Sequence, residues 1–132
     1  MSPELRVEHI ALNVPDPTAM AAWYCEHLEM KVARQGDPTI GMQFLADATG
    51  RVAFEIYHNP IQAVPEYATL GPLTLHVAFA TPDVEATRKR LLAAGATPIG
   101  EIDSTPSGDR LAMLRDPWGL ALQLCQRAVP MD

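Results

Sequence analysis

His9, Glu55, His76 and Gln123 are the residues of this 132-residue chain from which a metal-assisted site could be built. Two imidazoles, a carboxylate and an amide oxygen suit one divalent transition ion per site, Zn²⁺, Ni²⁺, Fe²⁺, Mn²⁺ or Co²⁺. Taken singly, each histidine reads as an ordinary strand residue bonded to neighbouring backbone or to Glu55. The case for a shared site rests on the elements that position all four.

Those elements repeat. Shifting the sequence by 67 residues lays His9-Ile-Ala-Leu-Asn-Val-Pro-Asp16 over His76-Val-Ala-Phe-Ala-Thr-Pro-Asp83, with His, Ala, Pro and Asp in register. Ala19 and Val32 continue the match onto Ala86 and Ile99, and each half then carries Asp-x-x-Gly, at Asp47 to Gly50 and Asp116 to Gly119. A single one-residue adjustment brings Glu55 onto Gln123.

Within each half the local signals read β-α-β-β-β. Arg6 to Val14 and Leu73 to Ala80 alternate and are rich in β-formers, so both read as strands. Asp16 and Asp83 are in position to cap helices, with Pro17 at the first helical position and Gly95 as a C-terminal stop. The first helix presents Met20, Trp23, Tyr24, His27 and Leu28 on one face, and the second Val84, Leu91 and Leu92. Strands are expected at Lys31 to Arg34, Met42 to Ala46 and Val52 to Tyr57, and again at Thr97 to Ile102, Leu111 to Arg115 and Leu120 to Gln126. The expected organisation is a single domain over 1–132, with module one at about 5–58, a Pro- and Gly-bearing linker at about 59–72 and module two at about 73–127.

Side chains alternate across a strand, so the faces follow from parity. Ile10, Leu12, Val14, Leu75, Val77 and Phe79 make an aliphatic side, joined by Val52, Phe54, Ile56, Leu120, Leu122 and Leu124, and the helices should cover it. The opposite side carries alanines together with His9, Glu55, His76 and Gln123. Small neighbours leave a hollow, where an unpartnered carboxylate would cost several kcal/mol. A cation shared by the four groups removes that cost.

Composition narrows the partners. Ten Lys+Arg against sixteen Asp+Glu give a net charge of −6, with no basic run, so nucleic acid and anionic membrane surfaces are not expected partners. No apolar run reaches the ~18 residues of a membrane span, and MSPELRVEH lacks a basic segment followed by an apolar stretch, so a cytoplasmic location is expected. Cys25 and Cys125 read as reduced core thiols. Asp16, Asp47, Asp83 and Asp116 are explained by capping and turns, and Arg110 and Arg115 by pairing or solvation.

Val-Glu-His-Ile-Ala-Leu-Asn-Val-Pro-Asp at 7–16, His-Val-Ala-Phe-Ala-Thr-Pro-Asp at 76–83, Ala-Ala-Gly-Ala at 93–96 and Arg-Asp-Pro-Trp-Gly-Leu-Ala-Leu-Gln-Leu at 115–124 resemble the vicinal oxygen chelate superfamily. That superfamily includes glyoxalase I, methylmalonyl-CoA epimerase, extradiol dioxygenases, and the fosfomycin and bleomycin resistance proteins. The resemblance runs from Val7 to Gln126. It implies an α+β fold in which two tandem βαβββ modules form a curved mixed sheet around a cleft with helices outside, and a homodimer whose sites draw on both chains. It also implies that His9, Glu55, His76 and Gln123 occupy the first to fourth metal-ligand positions. The sequence departs from the family at the fourth, which is most often glutamate. An amide can offer a metal its oxygen but has no useful basicity, so Glu55 alone remains as base.

One carboxylate against a divalent ion leaves the inner shell at formal +1, a stronger Lewis acid than a neutral shell. The leading reading is therefore a glyoxalase-like, metal-dependent lyase or isomerase that stabilises an enediolate formed from a small substrate with adjacent oxygens. The alternatives are a non-catalytic antibiotic-type binding protein, with Trp118, Tyr57, Met113 and His58 near the ligand, and a ring-cleaving dioxygenase-like enzyme. The dioxygenase pattern is altered because its carboxylate is expected at the fourth position. A purely structural dimer would leave the paired histidines unexplained.

Overall fold

The computed structural model describes residues 4–131. Its first helix begins where the sequence supplies a cap: the Asp16 carboxylate accepts the Ala19 N–H at 3.0 Å, and Pro17 opens α1 (Pro17–His27). The repeat reproduces the device, with Asp83 accepting from Ala86 N–H at 3.0 Å ahead of α2 (Val84–Ala93). α2 ends as expected at Gly95. Its φ of +112° lets the Gly95 and Ala96 N–H groups reach back to the Leu92 and Leu91 carbonyls at 3.3 and 3.0 Å, a Schellman closure.

The strands are β1 (Ile10–Asn13), β2 (Lys31–Gln35), β3 (Gln43–Ala46) and β4 (Val52–Tyr57), then β5 (Val77–Ala80), β6 (Thr97–Ser104), β7 (Arg110–Arg115) and β8 (Ala121–Gln126). They form two four-stranded mixed sheets with the same order, β1-β4-β3-β2 and β5-β8-β7-β6. In each, the first strand runs parallel to the last and the other pairings are antiparallel. The fold is α+β, and the register carries the repeat to single residues: Ala11 pairs with Glu55, and Ala78 with Gln123. The one-residue adjustment inferred from the sequence is thus present in the hydrogen-bonded ladders.

The chain divides into two units, Met1–Pro65 and Glu66–Asp132. In the first, α1 packs on β2, β3 and β4, burying Met20, Ala21 and Tyr24 with Leu12, Leu45, Phe54 and Ile56. In the second, α2 packs on β6, β7 and β8, and Val84 and Leu91 are buried with Leu114, Leu122 and Leu124. Of the positions assigned to the helix-covered side, Leu12, Phe54, Ile56, Leu122, Leu124, Met20, Tyr24, Val84 and Leu91 are buried, whereas Trp23, His27 and Leu92 are half-buried and the strand residues Ile10 and Leu75 are exposed.

Two boundaries differ from the sequence reading. β1 and β5 begin at Ile10 and Val77, later than the expected Arg6 and Leu73. Each is an edge strand with one neighbour, and the registers Ile10 to Phe54 and Val77 to Leu122 run off the starts of β4 and β8 within two residues. Residues further upstream have no strand to pair with in their own unit. The expected linker is also shorter, because Glu66 onward belongs to the second unit. There the Arg115 guanidinium donates to the Tyr67, Leu70 and Gly119 carbonyls at 3.0 Å each, anchoring the short helical turn Tyr67–Thr69. Gly119, at φ +95°, lies so close to this turn that a Cβ would stand 2.6 Å from the Ala68 nitrogen.

Candidate functional site

His9 sits one residue before β1 and, by alternation, on the same side as Ala11, whose ladder partner is Glu55. The pairing brings the two side chains together in the first unit: His9 Nε2 lies 4.0 Å from Glu55 Oε2, with the side chains 28% and 15% exposed. Phe44, opposite Glu55 in the β3–β4 register, sets its ring edge-on to the imidazole at 5.5 Å between centroids. The other ring nitrogen, Nδ1, is 2.9 Å from Glu8 Oε1.

The second unit repeats part of this arrangement. His76 sits one residue before β5, on the side of Ala78, whose ladder partner is Gln123. Its Nδ1 lies 2.8 Å from the Pro72 carbonyl oxygen. A carbonyl can only accept, so Nδ1 carries a proton, and in the neutral ring Nε2 is then the atom with the lone pair. Gln123 Oε1 accepts a weak hydrogen bond from the Cys125 thiol at 3.4 Å, and Met113 pairs with Gln123 from β7.

These groups fit a divalent ion in their chemistry. A metal-bound histidine characteristically gives its second ring N–H to a carboxylate or a backbone carbonyl, which fixes the ring and frees the ligating nitrogen. Glu8 and the Pro72 carbonyl stand against the Nδ1 atoms of His9 and His76, as such outer partners would. The 4.0 Å between His9 Nε2 and Glu55 Oε2 is too long for a hydrogen bond, and both groups are donor types that would hold a divalent ion. Among the described residues no group of three or more His, Cys, Asp or Glu stands close enough to hold an ion. What the structure brings together is one pair, His9 and Glu55 in the first unit, while the second unit sets His76 and Gln123 on one side of its sheet.

The hollow expected around the four candidate ligands is not what the second unit shows: its cavity has none of them in its lining. A cavity of about 560 Å³ in the second unit is lined by Ala78, Ala80, Thr81, Cys125, Arg127 and Met131 among others. Burial pushes the Cys125 thiol above the ordinary range, so it stands there as a neutral group. Both cysteines are free, Cys125 buried and Cys25 half-buried.

The remaining candidates have structural work. His58 Nδ1 bonds the Val14 carbonyl at 2.9 Å, and Tyr57 pairs with Asn13 in the β1–β4 ladder. Trp118 gives its backbone N–H to Asp116 at 2.9 Å inside the Asp-Pro-Trp-Gly turn. Arg110 pairs with Glu85 at 2.6 Å. Sequence reasoning did not select Glu8, Phe44 or Asn13. Asn13, on the His9 side of β1, donates to the Asn59 and Gln62 carbonyls at 3.0 Å each and so holds the stretch after β4. Its strand parity was the available signal, and Phe44 could have been found by pairing β3 against Glu55.

Residues 6–124 match the model of a family described as the glyoxalase/bleomycin resistance protein/dioxygenase superfamily. The chain belongs to this superfamily. Among its relatives, the ethylmalonyl-CoA/methylmalonyl-CoA epimerase of Cereibacter sphaeroides is 32% identical over 101 residues, covering 72% of this chain and 75% of the relative. Among solved structures, SMU.1112c is 29% identical with a TM-score of 0.70, over 93% of this chain and 99% of that one. A glyoxalase I variant from Zea mays is 26% identical with a TM-score of 0.70, and its match covers 94% of this chain but 46% of the maize chain.

Proposed function

We propose that this superfamily member is a metal-assisted isomerase that removes and returns a proton next to a carbonyl of a small, oxygen-rich substrate. The observation that carries the reading is the His9–Glu55 pair, a carboxylate 15% exposed and held 4.0 Å from an imidazole nitrogen. One divalent ion held by His9, Glu55, His76 and Gln123 would, when bound, polarise the carbonyl and lower the energy of the enediolate that proton removal leaves. Glu55 takes the proton on its carboxylate and returns it. Glu8 and the Pro72 carbonyl hold the two imidazoles in the tautomer with Nε2 free. Gln123 contributes an oxygen without competing for the proton, since an amide is not a base at neutral pH.

The 32% identical epimerase supports the reaction class, because epimerisation beside a thioester carbonyl is also removal and return of an α-proton. Glyoxalase-type isomerisation of a hemithioacetal uses the same step. In this reading the 132 residues act as one domain of two modules, in a cytoplasmic homodimer.

The test uses the metal-loaded full chain in D₂O with methylmalonyl-CoA and, separately, the glutathione hemithioacetal of methylglyoxal. Proton NMR should show deuterium entering at the carbon beside the carbonyl of one of them, and Glu55→Gln should slow exchange by about 10²–10⁴-fold with the fold intact by circular dichroism. Absence of exchange with both, or exchange at the same rate in the variant, contradicts the proposal.

One observation favours a second reading, a non-catalytic binding module. The cavity of the second unit is lined largely by alanine, proline and methionine carbon, as a pocket for an apolar ligand would be. Retention of such a ligand after metal removal, together with failure of the exchange experiment, would establish it.

A further inference from the structure

The first unit contains a second cavity, of about 420 Å³, whose walls include Arg6, Arg34 and Arg51. Three of the ten basic residues of a chain with net charge −6 therefore gather around one hollow. They arrive from separate elements: Arg6 from the segment before β1, Arg34 from β2 at its bulge opposite Phe44, and Arg51 from the turn before β4. No ion pair within 4.0 Å involves any of the three among the described residues, although the Asp47 carboxyl, held below the ordinary range chiefly by the Thr49 hydroxyl, is also lowered by the Arg51 charge. Glu8 is the one carboxylate in the lining, and it faces His9 Nδ1 at 2.9 Å. The lining thus carries a formal excess of two positive charges.

All three arginines are exposed, so water and salt screen their mutual repulsion, yet of the chain's sixteen acidic residues only Glu8 stands in this lining. A single carboxylate ligand would be satisfied by one guanidinium fork. Three arginines lining one space within the ~300–1,000 Å³ range of small-molecule sites match an anion with many acceptor oxygens and at least two charges. Phe44 lines the same cavity and sets its ring edge against His9, so the anion site adjoins the candidate catalytic pair.

We infer that the Arg6–Arg34–Arg51 cavity binds a phosphoryl or diphosphoryl group, and that this group belongs to the substrate whose reacting carbon lies at Glu55. The inference deepens the proposed function and rests on it for the second clause only. A phosphorylated tail gripped at these arginines supplies binding energy remote from the reacting atoms, which orients the carbonyl end toward the base.

Two measurements test it. In the first, inorganic pyrophosphate is titrated by calorimetry into the metal-free full chain, where neither an ion nor the reaction contributes. Saturable one-to-one binding is expected, weakening with ionic strength, and losing about tenfold or more in affinity in each of Arg6→Gln, Arg34→Gln and Arg51→Gln. Lys89→Gln, an exposed cation of α2 removed from the pocket lining, controls for net charge and should bind as the parent does. No saturable binding, or the same loss in Lys89→Gln, overturns the site.

The second measurement compares turnover of a coenzyme A thioester with that of the matching N-acetylcysteamine thioester, which lacks phosphates. If the phosphoryl group is the substrate's own, Arg34→Gln raises KM for the coenzyme A thioester several-fold and leaves the phosphate-free one unchanged. Equal effects on both overturn the assignment to substrate and indicate a free anion. Because pyrophosphate binding does not use Glu55 as a base, failure of the exchange reaction and failure of the anion site are separate results.

Discussion

At the scale of single residues, the two cysteines show how position decides chemistry. Cys125 is 4% exposed, and burial raises its thiol above the usual range, whereas Cys25 is half-buried on α1. The thiolate is the nucleophile, so iodoacetamide at pH 7.5 should modify Cys25 well before Cys125, as peptide mass spectrometry would show. Equal rates would mean that the β8 face is more open than its burial indicates. The same scale sets what was legible in the candidate site. Strand parity and the repeat placed His9, Glu55, His76 and Gln123 on corresponding sides, because alternation is a local property. Glu8 and the Pro72 carbonyl escaped notice since their roles depend on how the segments before β1 and β5 leave the ladder, which periodicity does not encode.

At the scale of elements, turns and caps carry information that strand starts do not. Asp16 and Asp83 cap as their spacing requires, and Asp47 and Asp116 close Asp-x-x-Gly turns by accepting backbone N–H groups. Such bonds span two to four residues and are readable from sequence. The extents of β1 and β5 were overread because they are limited by the lengths of β4 and β8, far along the chain. The end of the linker was missed for a similar reason, since its anchor is Arg115. Arg115→Ala should therefore destabilise the chain by about 1.5–3 kcal/mol per hydrogen bond left unmade at a buried carbonyl, less where water substitutes, measured by urea denaturation. A loss near zero would mean that the Tyr67–Thr69 turn holds without it. The turn between β6 and β7 makes a pH-dependent link. Asp109 is held below the ordinary carboxylate range, first by the Ala128 N–H and also by the Arg127 guanidinium 3.1 Å away. A lowered pKa contributes stability above the unfolded-state value of about 3.9, and that contribution disappears as pH falls through the folded value. The melting-temperature gap between the parent and Asp109→Asn should be present at pH 6 and close below about pH 4. A gap independent of pH would contradict the assignment.

At the scale of the whole molecule, duplication explains why so much chemistry is concentrated in so short a chain. Each unit repeats one strand order and one ladder register, and each contributes a histidine with its Nδ1 engaged and a β4- or β8-borne oxygen donor at the equivalent position. In the proposed reading, Gln123 at the fourth position leaves Glu55 as the one carboxylate of the set. The fold was legible because the repeat constrains both halves at once. The approach of His9 to Glu55 followed from register, whereas the arginine-lined cavity, drawn from three elements with no sequence pattern in common, did not. The account stands on joint use of both histidines by one ion. Equilibrium loading of the full chain with Zn²⁺, Ni²⁺, Fe²⁺, Mn²⁺ and Co²⁺ in turn, followed by elemental analysis, should give one ion per chain for at least one metal, and none for that metal in either His9→Ala or His76→Ala. A parent chain that retains none of the five, or a full complement of metal surviving in either histidine variant, would contradict it.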